Sequence, residues 1–576
     1  MRKLIQTLLD HIGARLPLPF RVMHQQFLLR VVDLEALSIE ADIPSFLGQF
    51  AGILMMLSFV HGLGVLWFPP PPSQTWQYEQ ARVSDVLLVI GLCSVLMWDT
   101  TFPDKRDVMV LAPLPVFPRT ILMAKLAASA TVLGIAVIAL NCGSSLGLSV
   151  VFGAPAGGLL GMLRFFLAYW FTMFAAAAFL YGAVLTIQGC AVLFLSRRMF
   201  LRVSAILQLA AFGVFLGVRF LQPSLTTHAE MTAPANHWLV VASPTFWFVA
   251  LLNQLNGSSP SDLLWLAHRA WISLGIVAAG ALTSLLLCYM RNMKKTVEDP
   301  DLEPGTGGRH WIPRLGGSLQ NAIVIFCLRS IARSRQHRVA LALYWSVVFA
   351  VALSWIRREI SNPPEPIALD FIMSSFVMMS FAVLGLRGIF ALPVSLQANW
   401  MLRVTQLQPT GQYVAATRRC LLLFGVVPIW TMVAALSLHL RPWPQTAQHL
   451  AFLALFGAVL VELCLVRFDK VPFTCSYLPG KTNIQAIFWG FAFILLALGL
   501  LLGTFEVDAF ENPLNYALMM LCAFAAITAL RTINSLHARS AVLYFEEQPP
   551  EVLTRLGLIF VPPAPKISDL PKSSQP

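Results

Sequence analysis

The strongest constraint in this chain is a series of apolar runs, most of about the length that carries a helix across a bilayer. A hydrocarbon core of ~30 Å takes about 20 residues of helix. Such runs fall at 46–68, 83–99, 120–141, 160–190, 201–221 and 270–290, and again at 339–356, 371–390, 419–438, 449–466, 484–503 and 514–531. Backbone N–H and C=O groups facing lipid must be satisfied within the segment, so runs of this kind fold as helices. The expected fold is all-α, a polytopic transmembrane helical bundle of about 12 spans. Composition agrees, with 57% hydrophobic and only 12% charged residues, against roughly 25% charged in soluble chains. The first 40 residues are mixed and polar and the first run starts late, so no cleavable signal peptide is expected.

The net charge of +12 does not point to nucleic acid, because the basic residues cluster in the short segments between apolar runs. With the N-terminus placed in the cytoplasm and the spans alternating, only Arg82, Arg164, Arg219, Arg269, Arg357, Arg358 and Arg441 of the 40 Lys and Arg fall outside. Both termini are therefore expected in the cytoplasm. The nine cysteines contain no CxxC pair, and Cys93, Cys190, Cys288 and Cys522 lie in or beside apolar stretches. They read as small apolar side chains rather than as zinc ligands or disulfide partners.

The runs divide into two sets of six, 46–290 and 339–531, flanked by terminal segments 1–45 and 532–576. The joining stretch, 291–338, is rich in Pro and Gly over 300–317 and reads as a linker. Each half opens on a partly polar segment. In the first, Phe27, Leu28, Val31, Leu34 and Leu37 share one side of a helix, with Gln26, Arg30, Asp33 and Glu40 on another. That pattern fits a helix lying in the membrane interface or one packed on its own protein. In the second, Arg329, Arg333, Arg335 and Arg338 supply the basic character.

Two connections between second and third spans stand out. In 101–116, Thr101 and Asp104 have capping-box spacing and Pro103 suits a first helical turn, while Pro113 and Pro115 stop the helix. The expected element is a short helix with a charged start and an apolar end at Leu111, either a force-transmitting lever or an ordinary capped loop. The counterpart, 397–409, puts Trp400, Val404 and Leu407 on one helical face and Asn399, Arg403 and Gln406 on another.

The run from Phe102 to Lys125, with Pro-Asp-Lys-Arg-Asp, Leu-Ala-Pro-Leu-Pro-Val, Arg119-Thr120 and Ala124-Lys125, resembles bacterial permease subunits of type-two ABC exporters. The resemblance is strongest over this stretch and extends loosely to the first half. It implies an inner-membrane permease whose coupling helix meets a separate cytoplasmic ATP-binding subunit. ATP then belongs to the partner, and this chain holds no cofactor or metal. The implied contacts are Asp104, Lys105, Arg106, Asp107 and Leu111, with Asn399, Trp400, Arg403 and Gln406 at the matching place in the second half. Permeases of that family usually have one six-span unit, whereas this chain carries two sets of six runs.

Other motifs point nowhere so specific. Gly480-Lys481-Thr482 imitates the end of a phosphate-binding loop, but Cys475 stands where that loop needs Gly and no buried strand precedes it. His61 and Glu462 are the intramembrane polar candidates, with Glu462 expected to pair with Arg467 or to snorkel rather than to relay protons. The outer segment 222–268, with His228, Glu230 and His237, lacks metal-ligand spacing and is expected to be solvated. Glu506 and Asp508, like Arg357 and Arg358, are expected to be surface charges, and Asn256-Gly257-Ser258 is a formal glycosylation acceptor without meaning in a bacterial setting. No nucleophile–base constellation is expected, so the chain is not read as an enzyme. The competing readings are a secondary carrier of the major-facilitator type and, behind it, a polytopic membrane enzyme.

Overall fold

A computed structural model describes residues 17–32, 43–71, 74–97, 111, 115–195, 197–221, 225, 228–258, 260–298, 318–361, 369–394, 399–404, 410–440, 443–474, 484–543 and 545. Among them there is helix and no strand. Nine helical stretches among the described residues are long and apolar enough to cross a membrane: Gly48–Trp67, Arg119–Gly153, Gly157–Phe194, Ser261–Leu287, Ala340–Arg358, Leu369–Ile389, Thr410–Ser437, Trp443–Cys464 and Pro513–Ser540. The chain is thus a multi-pass helical membrane protein.

In chain order the helices are α1 (Leu18–Val32), α2 (Ile43–Trp67), α3 (Thr75–Leu96), α4 (Pro118–Leu148, ending in a π-helical turn at Ser149–Gly153), α5 (Ala154–Phe194) and α6 (Arg197–Leu221). Short α7 (His228–Thr232) and α8 (His237–Ala242) lead into α9 (Pro244–Asn256), then α10 (Leu264–Glu298). The rest are α11 (Ser318–Arg333), α12 (Arg335–Ser361), α13 (Leu369–Ile389), α14 (Asn399–Val404), α15 (Thr410–Leu421), α16 (Val427–Leu440), α17 (Trp443–Cys464), α18 (Ile484–Glu511) and α19 (Pro513–Ser540). A π-helical stretch, Leu422–Val426, joins α15 to α16. The runs expected at 83–99, 201–221 and 484–503 are helical, as α3, α6 and α18, with 22, 25 and 28 residues. Within α3 the charges Glu79, Arg82 and Asp85 all lie in its first half.

Local chemistry sets the ends. Pro118 opens α4 at a position where a missing N–H costs nothing. Asn512 caps α19 by accepting from the Leu514 N–H at 3.0 Å. The long fourth run begins at a break, Gly157–Gly158, where Gly158 has φ 61°, a left-handed conformation that disfavours other residues. Several helices overrun their expected ends: α4 runs to Leu148, α10 to Glu298 and α19 to Ser540, and α18 reaches Glu511 rather than stopping near 503.

The buried side chains form two main clusters, one in each half. In the first, α2 and α4 cross at backbone contact. A Cβ added at Gly143 would sit 2.6 Å from the Phe59 Cα, and one at Gly147 2.5 Å from the Gly62 carbonyl oxygen. Ser58 Oγ accepts from the backbone N–H groups of Gly143 and Ser144 at 3.0 Å each. Small residues four apart allow this approach, and where lipid removes the hydrophobic drive it is packing of this kind that joins helices. α1 lies on α4 with Met23, Phe27 and Leu28 buried and the Lys125 ammonium 5.2 Å from the centre of the Phe27 ring. Packing on its own protein is thus observed over 18–32, while Asp33, Leu34, Leu37 and Glu40 of the pattern lie outside the described residues. α11 lies against α15 in the corresponding way.

Contacts between the two halves are exchanged. α2 of the first half meets α18 of the second, and α12 of the second meets α6 of the first.

Candidate functional site

Most of the first connection between second and third spans lies outside the described residues, including Asp104, Lys105, Arg106 and Asp107. Leu111 is described, half-buried and packed against the core of the first half. The second connection is clearer. Asn399 opens α14 and is buried, its Nδ2 donating to the Thr474 carbonyl at 2.7 Å. Trp400 and Val404, one turn apart, are 65% and 74% exposed. Arg403 is helical although its side chain is not described, and Gln406, Gly480 and Lys481 lie outside the described residues.

α14 stands on a rigid base. Phe473, at φ 67°, donates its N–H to the Phe390 carbonyl at 2.9 Å and accepts from the Val394 N–H at 3.1 Å. Its ring meets those of His337, Phe390 and Phe326 at 4.7, 5.3 and 5.9 Å. His337 Nε2 lies 2.9 Å from the Leu392 carbonyl oxygen and Nδ1 2.6 Å from Ser334 Oγ. The elbow before α12, the end of α13 and the turn after α17 are thereby tied into one block. Burial pushes His337, just outside the span, below the usual histidine range.

Inside the spans, Glu462 is paired with Arg418 and not with the expected Arg467. Arg418 Nε is 2.6 Å from one carboxylate oxygen and Nη2 3.0 Å from the other. Asn534 Nδ2 donates to the Glu462 carboxylate at 3.0 Å and to its backbone carbonyl at 2.9 Å. Arg467 turns away at φ 53°, in the bend that ends α17, so the helical spacing assumed for a local pair does not exist. His61 is half-buried, its ring 6.2 Å from that of Tyr78.

The largest departure concerns Glu506. Far from being a surface charge, it is fully buried, 2.8 Å from His449 Nδ1, and His449 Nε2 is 2.8 Å from Ser375 Oγ. Three helices, α13, α17 and α18, thus bring together a Ser–His–Glu chain that sequence reasoning missed, because no two of its members lie within 50 residues of each other in the chain. The expectation that no such constellation exists is corrected, but the geometry is not that of a nucleophile. Ser375 Oγ donates to the Ile372 carbonyl at 2.7 Å, so it accepts from His449 rather than yielding its proton to it. All three residues are sealed from solvent, and Phe371 and Phe376 stack around the imidazole at 4.9 and 5.9 Å. No acyl substrate reaches Ser375 through that packing. Asp508, by contrast, is exposed and accepts from Asn515 Nδ2 at 3.0 Å.

Glu230 and His237 of the outer segment are exposed, as expected, but the segment is not simply loop. α8 and α9 meet at a 90° bend between Ala242 and Pro244, and α9 buries Phe246, Phe248, Val249, Leu251 and Leu252. It is keyed to α3 by Asn253 Nδ2 donating to the buried Glu79 at 2.6 Å. Arg219 on α6 joins Asp85 on α3 at 2.6 Å, and Arg82 pairs with the same carboxylate. The unbroken apolar run over 246–252, three aromatic residues followed by four aliphatic ones, is the available signal for a buried helix. No group of three or more metal-ligating side chains occurs among the described residues.

No family model matches this chain, and no curated protein or solved structure does either.

Proposed function

We propose that this chain is the membrane permease of an ABC-type exporter, twelve spans in a six-plus-six arrangement, driven by a separate cytoplasmic ATP-binding subunit. The observation that carries the reading is α14: a short helix between second and third spans, pinned by Asn399 to a rigid base and presenting Trp400 and Val404 outward. A partner that pushes on such an element moves the start of α12 and the end of α13 with it, because the block around Phe473 ties them together. The resemblance of 102–125 to exporter permeases gives the first half an element at the same place. The exchanged contacts support two comparable units, since α2 and α12 open their halves and α6 and α18 are fifth in theirs. With α3, α6 and α18 counted as spans, the total is twelve and both termini are cytoplasmic, in a bacterial inner membrane.

The test is charge and shape at the two connections. Lys105→Glu with Arg106→Glu, and separately Trp400→Ala with Val404→Ala, should leave expression and insertion unchanged while reducing co-purification of the ATPase and ending transport. Like-charge contacts across an interface cost several kcal/mol, whereas exposed sites alter folding by only about 0.5 kcal/mol. Full ATPase association in both variants would refute the reading.

A proton-coupled carrier is the second reading, favoured by His449–Glu506, a titratable pair inside a span. A relay needs access from each side in turn, and the pair is closed on both. Transport that survives loss of ATP but stops with a protonophore would move the assignment to this carrier.

A further inference from the structure

Between the start of α15 and the end of α19 lies a cavity of about 520 Å³, lined by Thr410, Gly411, Gln412, Arg418, Arg531, Asn534, Ser535 and Arg539 among others. Its volume falls in the ~300–1,000 Å³ range of ligand pockets, and no acidic side chain lines it among the described residues. Arg418 is already neutralised by Glu462. Arg531 and Arg539 have no such partner among the described residues, so the cavity carries an excess of positive charge. Planar guanidinium forks suit phosphate oxygens. Asn534 adds a second requirement. Although it is 3% exposed, its Oδ1 has no hydrogen-bond partner among the described residues. Both bonds of Nδ2 to Glu462 fix the amide, so Oδ1 is held as an acceptor and calls for a donor. A simple phosphodiester offers none, whereas a phosphodiester bearing a hydroxyl supplies both the anion and the donor.

The surface beside the cavity indicates where such a group comes from. At 3.6 residues per turn, Arg539, Ser535, Arg531, Thr528, Phe524 and Leu521 run along one stripe of α19. Phe524 and Leu521 are 58% and 64% exposed, in a helix long and apolar enough to span the bilayer. The charged cavity therefore opens onto a lipid-facing apolar track.

We propose that this cavity holds the headgroup of an anionic phospholipid with a free hydroxyl, of the phosphatidylglycerol type, whose acyl chains lie along Phe524 and Leu521 of α19. Arg531 and Arg539 take the phosphate and Asn534 Oδ1 accepts from the hydroxyl. Basic pockets between spans at a membrane surface are suited to such headgroups. A zwitterionic headgroup is disfavoured, because its ammonium would face the two arginines. The inference depends on the chain's being a membrane protein, not on what it transports.

The full-length protein is taken from nanodiscs of phosphatidylcholine mixed with phosphatidylglycerol, phosphatidylmethanol or phosphatidylethanolamine, and the lipid that stays bound is counted by native mass spectrometry. Phosphatidylglycerol should be retained ahead of the other three. Arg531→Gln with Arg539→Gln should bind it about 30-fold more weakly, given the contribution of each basic residue near an anionic surface. Arg531→Lys with Arg539→Lys should keep a large part of the binding, which separates loss of charge from misfolding, and Arg357→Gln with Arg358→Gln should have no effect. Equal retention of phosphatidylmethanol would overturn the headgroup assignment. Displacement by free glycerol phosphate as readily as by lipid would overturn the lipid source. If retention appears only after the chain is cut at Phe545, the carboxylates of Glu546 and Glu547 are the native occupants and the proposal fails.

Discussion

Glu462 and Glu506 are both buried carboxylates, and their surroundings give them opposite sensitivities. Glu462 is held by two nitrogens of Arg418 and by Asn534. Removing one member of a buried pair strands the other charge, at roughly 3–5 kcal/mol, while replacing both by apolar groups of similar size costs far less. Arg418→Met should therefore sharply lower the temperature at which the detergent-solubilised protein loses its monodisperse peak, and Arg418→Met with Glu462→Leu should recover most of the loss. No recovery in the double variant would mean that the pair does not carry the stability. At Glu506 the weight falls on the histidine. Ser375→Ala removes two neutral hydrogen bonds, to the Ile372 carbonyl and from His449, about 1 kcal/mol each, whereas His449→Leu leaves a sealed carboxyl group as well as Ser375 without a partner. The second variant should unfold at a clearly lower temperature than the first, and Ser375 should resist fluorophosphonate labelling in both detergent and membrane. Labelling at Ser375 would restore the enzyme reading. Sequence alone could not have found this cluster, because the apolar run of α18 ends near Gly503 and places Glu506 just beyond it. Only the continuation of the helix to Glu511 draws that side chain inward. Glu462 was legible as an intramembrane charge, but its partner was not, since Arg418 comes from another helix 44 residues away in the chain.

At the scale of elements, the spans were readable because hydrophobic length is a local property, while their crossings depend on pairs of positions that no single run reveals. The α2–α4 crossing is a case in point. Gly143 and Gly147 have the spacing that permits close approach, but nothing in the sequence says that Gly62 and Ser58 lie opposite. Gly143→Leu would drive a branched side chain into the Phe59 backbone, and overpacking of that kind costs about 1–3 kcal/mol or more where backbone must move. The expected result is lower yield of folded protein, with a cysteine pair at positions 58 and 144 no longer forming a cross-link in that background. The docking of α1 should depend on pH. His24 lies 3.3 Å from Thr131 Oγ1 on α4, outside the spans, and burial holds it below its ordinary value of 6.5 against the smaller opposing effect of the Ala127 backbone. A histidine whose folded-state value is depressed binds its proton more readily when released. The contribution to docking is thus fully present above about 6.5 and is lost as pH falls below it. The protection factor over 18–32, with the intrinsic pH dependence of amide exchange divided out, should fall between about pH 7 and pH 5.5, and His24→Leu should remove the effect. A wild-type protection factor that is flat across this window would show that His24 does not control docking.

The exchanged contacts of α2 with α18 and of α6 with α12 make a statement about the whole molecule. Each half has its own buried cluster, so each has the packing of a separate folding unit. Among the described residues, what joins them is helix against helix. Covalent continuity across 299–317 should therefore be dispensable. Coexpression of residues 1–305 and 306–576 as two chains should give a complex that co-purifies through a tag on either fragment and retains the activity of the intact protein. Association in the bilayer is favoured by the confinement of both pieces to two dimensions and by the packing of small and aliphatic side chains. Each fragment expressed alone should insert but leave the partner-facing sides of its first and fifth spans exposed to lipid, and so self-associate or be degraded. Bulky substitutions on the α6 face toward α12 should break the split complex while leaving the intact chain assembled, because the tether keeps the local concentration of one half near the other high. Fragments that insert and remain stable but never co-purify would show that the halves are held by the linker and not by the exchanged helix contacts. The six-plus-six reading of the permease would then lose its structural basis.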